Sequence, residues 1–511
     1  MVAWIIIGAV VLAILWIVVA GQLQREHAIR RNYPLLGNMR YWLEAFGPEL
    51  RQYIVTANDE GRPFDRNQRR WVYSSAKRQN NQFGFGSDAH TERSPGYLII
   101  KPAAFPHRPE NPRFKDPELP CGKVLGQASG RSKAFRPASV VNVSGMSFGS
   151  LGGRAIEAMN EGCAAAGCLQ NTGEGGLSVH HMRGGELIFQ VGTGYFGCRD
   201  DAGRFDLARL TALVEAHPVR AIEIKLSQGA KPGLGGLVPA AKVTAQVAEA
   251  RGVPIGQDIV SPSAHSAFSE VDTMLEFIER LADRTGLPVG IKAAVGETRF
   301  WDELCLRIAQ TGRQPDFVTI DGGEGGTGAA PLVYADHVAL PFFHAQSRVH
   351  AIFARHGVSD RIVFVGSGKL GFPESALLGF ALGLDMVNVG REAMMAVGCI
   401  QAQRCHTGRC PTGVATHSPW RQRGLDVPSK ALRLSSYIAA LRRELLSVTH
   451  TCGNVHPSLV TTDHFEILQG NMAISAIEVY GYEPAWGLPG EQIQKEITEL
   501  MKPLRERQAA P

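Results

Sequence analysis

The sequence predicts an α/β protein, a (β/α)8 TIM barrel with an N-terminal transmembrane helix and a small N-terminal cap region. Three observations carry this reading. Eight short apolar, β-branched runs alternate with amphipathic helical stretches from residue 137 onward. The runs are apolar at successive positions, as strands buried on both faces require. Glycines and polar residues follow nearly every run, and a barrel builds its site from all eight carboxyl-end loops. An open doubly wound sheet would place its glycine fingerprint after the first strand alone.

The expected strands are 139–143, 169–172, 220–225, 255–260, 288–292, 317–321, 362–366 and 386–389. Helical patterns fall at 154–166, 239–251, 271–285, 301–310, 344–356 and 373–382. Beyond them, 428–447 is amphipathic, with Leu432, Leu434, Ile438, Leu441 and Leu445 near one face, and 491–501 carries another helical pattern. The resulting division is a membrane segment at 3–21, a cap at 22–135, the barrel at 136–450 and a C-terminal extension at 451–511.

Residues 3–21 read AWIIIGAVVLAILWIVVAG, uncharged and close to the ~20 helical residues that cross a bilayer. A cleavable signal and a buried core helix are the competing readings. No Lys or Arg precedes the run, and no small-x-small site follows it. Arg25, Arg30, Arg31 and Arg40 come after it, so the positive-inside rule expects a single-pass anchor with the catalytic domain in the cytoplasm. In the cap, the basic run 62–71 reads as a solvated surface, with anionic lipid as the alternative. Residues 97–102 read as a strand, and the proline-rich 102–120 as an extended connector.

Composition narrows the classes. With 44% hydrophobic residues, 57 glycines and 29 prolines in 511 positions, the chain is globular. A net charge of +5 without a basic stripe excludes a nucleic-acid partner. Nine scattered cysteines do not form a secreted disulfide framework.

Three of those cysteines cluster as Cys399-x5-Cys405-x4-Cys410-Pro411. A Cys-Pro ending is common in iron–sulfur loops, whereas zinc prefers four ligands in paired knuckles. Three thiolates suit a three-iron cluster, or a four-iron cluster with a foreign fourth ligand. The plainer alternative is three buried small hydrophobes, but Arg404, His406 and Arg409 interleave them.

The strand-end loops are Ser144-Gly-Met-Ser-Phe-Gly-Ser150, Asn171-Thr-Gly-Glu-Gly-Gly176, 227–237, Asp321-Gly-Gly-Glu-Gly-Gly-Thr-Gly328, Gly366-Ser-Gly368 and Gly390-Arg391. Glycine loops let backbone N–H groups close on a flat ring or a phosphate. The loops after strands seven and eight are where such barrels hold phosphate, so Gly366, Ser367, Gly368, Gly390 and Arg391 predict a phosphorylated cofactor. Gly145, Met146, Ser147, Asn171, Thr172, Gly322 and Gly323 are further candidates to line it. The cysteine cluster starts nine residues after Gly390. A one-electron centre beside a phosphate site calls for a flavin, hence FMN. Lys292, at a strand end, reads as a positive charge near the flavin ring, or else as a lysine paired to a carboxylate.

VSGMSFGS, NTGEGG, SQGAKPG, DGGEGGTGAAP and the cysteine run occur in the order, and with the wording, of the FMN-binding synthase domain of the glutamate synthase family, which roughly residues 136–450 resemble. The resemblance implies FMN, a 3Fe-4S cluster on Cys399, Cys405 and Cys410, and reductive amination of 2-oxoglutarate with ammonia. It also implies that Glu174 and Lys231 face the substrate. Holding two carboxylates needs cations, which adds Lys225. Glu174 either orients nitrogen or moves a proton, or it only satisfies its own glycine turn. Where the family reads Lys-Pro-Gly-Glu-Gly-Gly-Gln, this chain has Leu234 and Leu237, so the 2-oxo acid is expected to differ or be less polar. The chain reads as a stand-alone form without the amidotransferase domain or an NAD(P)H fingerprint. Ammonia then comes from solution or another chain, and electrons from an external ferredoxin or reductase subunit. His180 and His181 receive no role. Two other readings stand beside this one: a membrane-associated flavin dehydrogenase of another amino or hydroxy acid, and a non-catalytic membrane scaffold.

Overall fold

The computed structural model describes residues 1–24, 26–82, 84–91, 94–107 and 118–509. Arg25 and most of the expected connector, 108–117, lie outside the described residues. The chain divides into two compact units, residues 1–69 and 70–511. Residues 70–135 and 451–511 belong to the same unit as the barrel.

Eight strands close into a barrel: β1 (Val141–Val143), β2 (Gln170–Asn171), β3 (Leu187–Val191), β4 (Val219–Lys225), β5 (Val289–Ala294), β6 (Phe317–Asp321), β7 (Val363–Ser367) and β8 (Met386–Val389). Each pairs in parallel with its sequence neighbours, and β8 closes on β1 through Val387↔Val141. The expected count holds, but one member differs. The third strand is Leu-Ile-Phe-Gln-Val at 187–191, buried throughout. The expected strand at 255–260 is not in the barrel. Only Ile259–Val260 is extended there, in an antiparallel pair with Leu237–Val238. The physical reason is visible in the residues. A barrel strand buries both faces, whereas Gly256, Gln257 and Asp258 interrupt this run, Val260 stands exposed, and Asp258 accepts the Ala240 N–H at 2.6 Å.

Most helices match their apolar periodicity, as at Gly153–Ala166, Val271–Thr285, Arg299–Thr311, Phe342–Arg355 and Pro373–Ala381. The expected 239–251 is a short 3-10 turn followed by Ala245–Arg251. Helices Leu207–Ala216 and Arg391–Val397 were not anticipated. The long helix Val427–Thr451 is capped by Asp426, whose side chain accepts the Ser429 N–H. It lies against Gly153–Ala166 so closely that a Cβ on Gly162 would come within 2.9 Å of the Ala431 carbonyl. Tyr97–Ile100 is a strand, as expected. It pairs with Phe465–Gln469, which turns back as Met472–Ser475.

The basic run 62–71 is not all solvated. Trp71 donates to Glu444 at 2.9 Å and packs on Tyr437 and Phe372, while the following Val72 is fully buried.

Residues 118–136 stopper the amino-terminal end of the barrel. Cys121 and Leu125 enter a core with Leu169, Ile188, Ala221, Phe317, Val363, Val365 and Met386. Arg131 fastens the stopper, with both ends of its guanidinium on Glu279 (2.7 and 2.9 Å) and its Nε 3.0 Å from Asp316. Asp316 also accepts the Val289 N–H at 2.7 Å. With one end filled, the carboxyl end is left as the mouth.

The amino-terminal helix spans Val2–Leu23 and is, by length and composition, long and apolar enough to cross a membrane. Replacing Arg131 by Met would strand the buried Asp316 carboxylate, which typically costs about 3–5 kcal/mol. A matching drop in denaturant midpoint is expected, and an unchanged midpoint would contradict the role given to Arg131.

Candidate active site

The mouth gathers charge from the loop after β2, the end of β4 and the long connection that follows β4. Glu174, in the loop after β2, lies 2.9 Å from Lys225 at the end of β4. Gly192 and Gly236 flank it, and a Cβ on Gly236 would collide with the Glu174 carboxylate. Burial would raise the Glu174 carboxyl, but Lys225, then Arg251 and Lys231, outweigh it and hold the group below its ordinary value. The competing reading, a carboxylate serving only its own turn, does not describe this geometry. Lys225 also donates to Gln228 at 2.8 Å. Lys231 donates to the Ala329 carbonyl at 3.1 Å, and burial lowers its pKa.

Arg251 was not singled out by sequence, since it ends a short helix without a motif. Its Nη2 donates to the Phe148 carbonyl (3.1 Å) and Ser147 Oγ (3.4 Å), and its buried Nε has no hydrogen-bond partner. Burial lowers its pKa to about 10, against the pull of Glu174.

His265 holds the Lys225 backbone. Its Nε2 lies 3.0 Å from the Lys225 carbonyl, so that nitrogen carries the proton, and Nδ1 faces the Tyr195 hydroxyl at 3.2 Å. Tyr195 in turn accepts the Ser266 and Ala267 N–H groups. Burial depresses the His265 pKa to about 4, so the ring is neutral at physiological pH.

Inside the barrel, Glu223 on β4 is fully buried. It accepts from Asn171 (2.7 Å), Gln190 (2.6 Å) and Thr319 (2.7 Å). Gln190 lies on the strand that sequence reasoning passed over. A Glu and a Gln inside otherwise apolar runs were the available signal. Gly145 lies over this network, where a Cβ would come within 2.9 Å of Asn171 Oδ1. Thr172 is buried and accepts the Gln190 N–H at 3.0 Å. Lys292 sits 3.5 Å from Asp321, which accepts the Gly229 N–H, so pairing within the barrel is the geometry found.

On the other rim, β7 and β8 pair side by side, bringing Gly366–Gly368 next to Gly390. Ser144 Oγ reaches Ser367 Oγ at 3.4 Å. Met146 is half-buried, and Ser147 Oγ donates to Ser150 at 3.1 Å. Arg391 donates to the Glu324 carbonyl, and burial lowers its pKa. Most glycines here are required by the protein itself. Gly366 and Gly368 are packed by Phe342, Gly322 by Glu324 and Phe342, and Gly323 by the Ala339 carbonyl. Gly390 differs: its nearest neighbour is Ser144 Cβ at 3.7 Å, leaving open room.

The cysteine loop follows the helix that starts at Arg391. Of the nine cysteines, Cys399 and Cys405 alone are not buried, which departs from the small-hydrophobe reading. Burial pushes the Cys399 thiol up to about 12 and, with Cys410, raises Cys405. Cys410 is lowered despite its burial, because backbone N–H groups of Ala415, Thr412 and Val414 and the Thr412 hydroxyl face its sulfur. Lys242, buried and donating to the Ser150 carbonyl at 2.9 Å, lies near Cys405 and Cys410. Tyr73 donates to the Cys399 carbonyl at 2.9 Å. Cys410 sits in a thiolate-stabilising nest, as an iron–sulfur ligand would need, while the Cys399 and Cys405 thiols are raised. Among the described residues, however, no three His, Cys, Asp or Glu side chains are drawn together tightly enough to hold a metal.

A parallel barrel stoppered at one end, with acid, lysine and arginine collected at the carboxyl-end mouth, defines an enzyme of the (β/α)8 class. The conserved region of glutamate synthase matches residues 124–455, and the chain belongs to the glutamate synthase family. It is 37% identical to the glutamate synthase large subunit-like protein YerD of Bacillus subtilis over 90% of this chain and 94% of that one. It is 33% identical to the archaeal glutamate synthase [NADPH] of Methanocaldococcus jannaschii, over 61% of this chain and 59% of that one. Among solved structures, a mandelate oxidase variant with an FMN adduct aligns over 79% of this chain and 91% of its own at 15% identity, with a TM-score of 0.40, too distant for any functional argument.

Because the Glu174 pKa is lowered on folding, the stability from its pair with Lys225 is complete above the ordinary glutamate range. It is lost as pH falls through the lower folded-state value. The stability gap between wild type and Glu174→Gln is therefore expected to persist at neutral pH and close only below that range. A gap that closes above it would contradict the pairing.

Proposed function

We propose that the chain is an oxidoreductase of glutamate synthase type that reductively aminates a 2-oxo acid, with FMN in the barrel mouth. The single observation that carries this is Arg251, a buried guanidinium with an unpartnered Nε, whose charge acts together with that of Lys231 on the Glu174–Lys225 pair. An anionic substrate would complete that arrangement. When bound, FMN supplies a hydride from its N5 position. Gly390, with Gly366–Gly368 and Arg391, would take the phosphate, and Lys292 and the Gly145–Asn171 wall would face the ring.

Ammonia and the oxo acid condense to an imine and water, and reduction adds a hydride to carbon and a proton to nitrogen. Arg251 and Lys231 hold carboxylate, Glu174, kept ionised by its cations, orients nitrogen by accepting from it, and the proton comes from solvent. An iron–sulfur cluster on Cys399, Cys405 and Cys410 would supply single-electron entry from an external donor. Val2–Leu23 would anchor the chain as a single pass, with the catalytic unit on the cytoplasmic side.

Leu234 and Leu237, both part-exposed at the mouth, favour a second reading in which the acid is less polar than 2-oxoglutarate.

Yellow-brown protein containing flavin and iron is expected, with loss of iron but not flavin in Cys410→Ala. Colourless protein would overturn the redox assignment. Under anaerobic conditions, reduced enzyme should be reoxidised by a 2-oxo acid with ammonium. No response to any 2-oxo acid, together with reduction by an amino acid, would favour a dehydrogenase. Arg251→Gln should lower kcat/KM by about 10- to 100-fold, the loss of about 1.5–3 kcal/mol for a hydrogen bond to a charged group. Leu237→Gln should shift preference toward 2-oxoglutarate.

A further inference from the structure

The amino-terminal unit carries an apolar face that the barrel chemistry does not use. Its helices meet at a tight corner. A Cβ on Gly21 would come within 2.9 Å of Pro34 Cβ, and one on Gly37 within 2.8 Å of the Ile29 carbonyl. The Gln24 amide donates to the Gly21 and His27 carbonyls at 3.0 and 2.8 Å. The Arg30 guanidinium lies 3.9 Å from the centre of the Tyr41 ring. The helix Leu36–Leu50 is thus fastened to the carboxyl end of Val2–Leu23 rather than loosely tethered.

Along Leu36–Leu50 and the wider turn Arg51–Val55, Met39, Trp42, Leu43, Phe46, Leu50 and Ile54 form one exposed stripe. Trp42 is 64% exposed and Phe46 66%. Arg40 pairs with Glu44 at 2.7 Å away from the stripe, and Arg31 and Arg51 are also exposed. A contiguous apolar face of this kind needs cover. An aromatic and aliphatic face flanked by charged residues, here Arg40, Glu44, Glu49 and Arg51, is the composition of helices that lie flat in a membrane interface. The face is continuous, through the corner, with a helix whose apolar surface is itself exposed over most of its length.

We propose that residues 36–55 lie in the plane of the bilayer interface at the foot of the spanning helix. Trp42 and Phe46 enter the headgroup–acyl boundary, and Arg31, Arg40 and Arg51 stay among the headgroups. The proposal rests on the reading of Val2–Leu23 as a span, and its test separates the two.

Full-length protein is reconstituted in bilayers of phosphatidylcholine and phosphatidylglycerol carrying bromine either near the headgroup or near the bilayer centre. Tryptophan emission is compared with that of Trp42→Phe and of Trp16→Phe, Trp16 standing about 10 Å along the helix from Leu23. Trp42 emission is expected to be lost with shallow bromine and kept with deep bromine, while Trp16 is quenched by deep bromine. Trp42 unquenched with Trp16 quenched overturns the in-plane helix and leaves the span, the face then being covered by protein. Trp42 quenched by deep bromine also overturns it. Neither quenched refutes the span and the proposal together.

Discussion

The ion pair between Glu174 and Lys225 ties the loop after β2 to the end of β4, and the mouth is organised around it. Its 2.9 Å contact is sheltered from water, so the two charges act on their surroundings at long range. Gly192 and Gly236 make room for the carboxylate, His265 fixes the Lys225 backbone, and Arg251 and Lys231 add positive field. One anion facing three cations leaves a net attraction for a second anion, and this is the electrostatic basis for reading the mouth as a carboxylate site.

Below that pair, Glu223 plays a different part. Its carboxylate is satisfied by Asn171, Gln190 and Thr319, from three other strands. A buried charge held by neutral donors is sensitive to geometry, because each unmade bond leaves a strongly disfavoured group. The network therefore registers the strands across the barrel interior and presents Gly145 and Asn171 as a fixed wall. Lys292 and Asp321 pair beside it, on β5 and β6, with Lys292 in register with Lys225.

The barrel was legible in sequence because strands buried on both faces leave short runs dominated by apolar residues, as at Phe317, Val318 and Ile320 of β6 and Val363, Phe364 and Val365 of β7. β3 was not legible, though its five residues are all buried, because Ile255 and Val260 offer apolar positions in a segment of similar spacing. The two differ in what interrupts them: Gln190 is one polar residue pointing into a network, while Gly256, Gln257 and Asp258 form a turn on the rim. Glu174 and Lys231 were singled out through the resemblance of their motifs to the family, and Lys225 through its place at a strand end and the need for cations. Arg251 was not, because its position depends on the path of a loop of some forty residues that no local pattern determines. The glycines were read correctly as marking close approach but only partly as to what approaches. At Gly229, for instance, it is the Gly322 carbonyl rather than a ligand.

The stopper of the barrel has a consequence for how the chain is made. Cys121 contacts the Asp385 carbonyl 264 positions further on. At ribosomal speeds of about 5–20 residues per second, roughly 13–50 s pass between the synthesis of one and of the other. Until Phe317 is made Cys121 and Leu125 have none of their partners on β6, β7 and β8, and Met386 of β8 arrives only after the whole interval. Nascent chains of this protein therefore carry an incompletely covered greasy segment until Met386 is made, which makes the newborn polypeptide a natural client for chaperones.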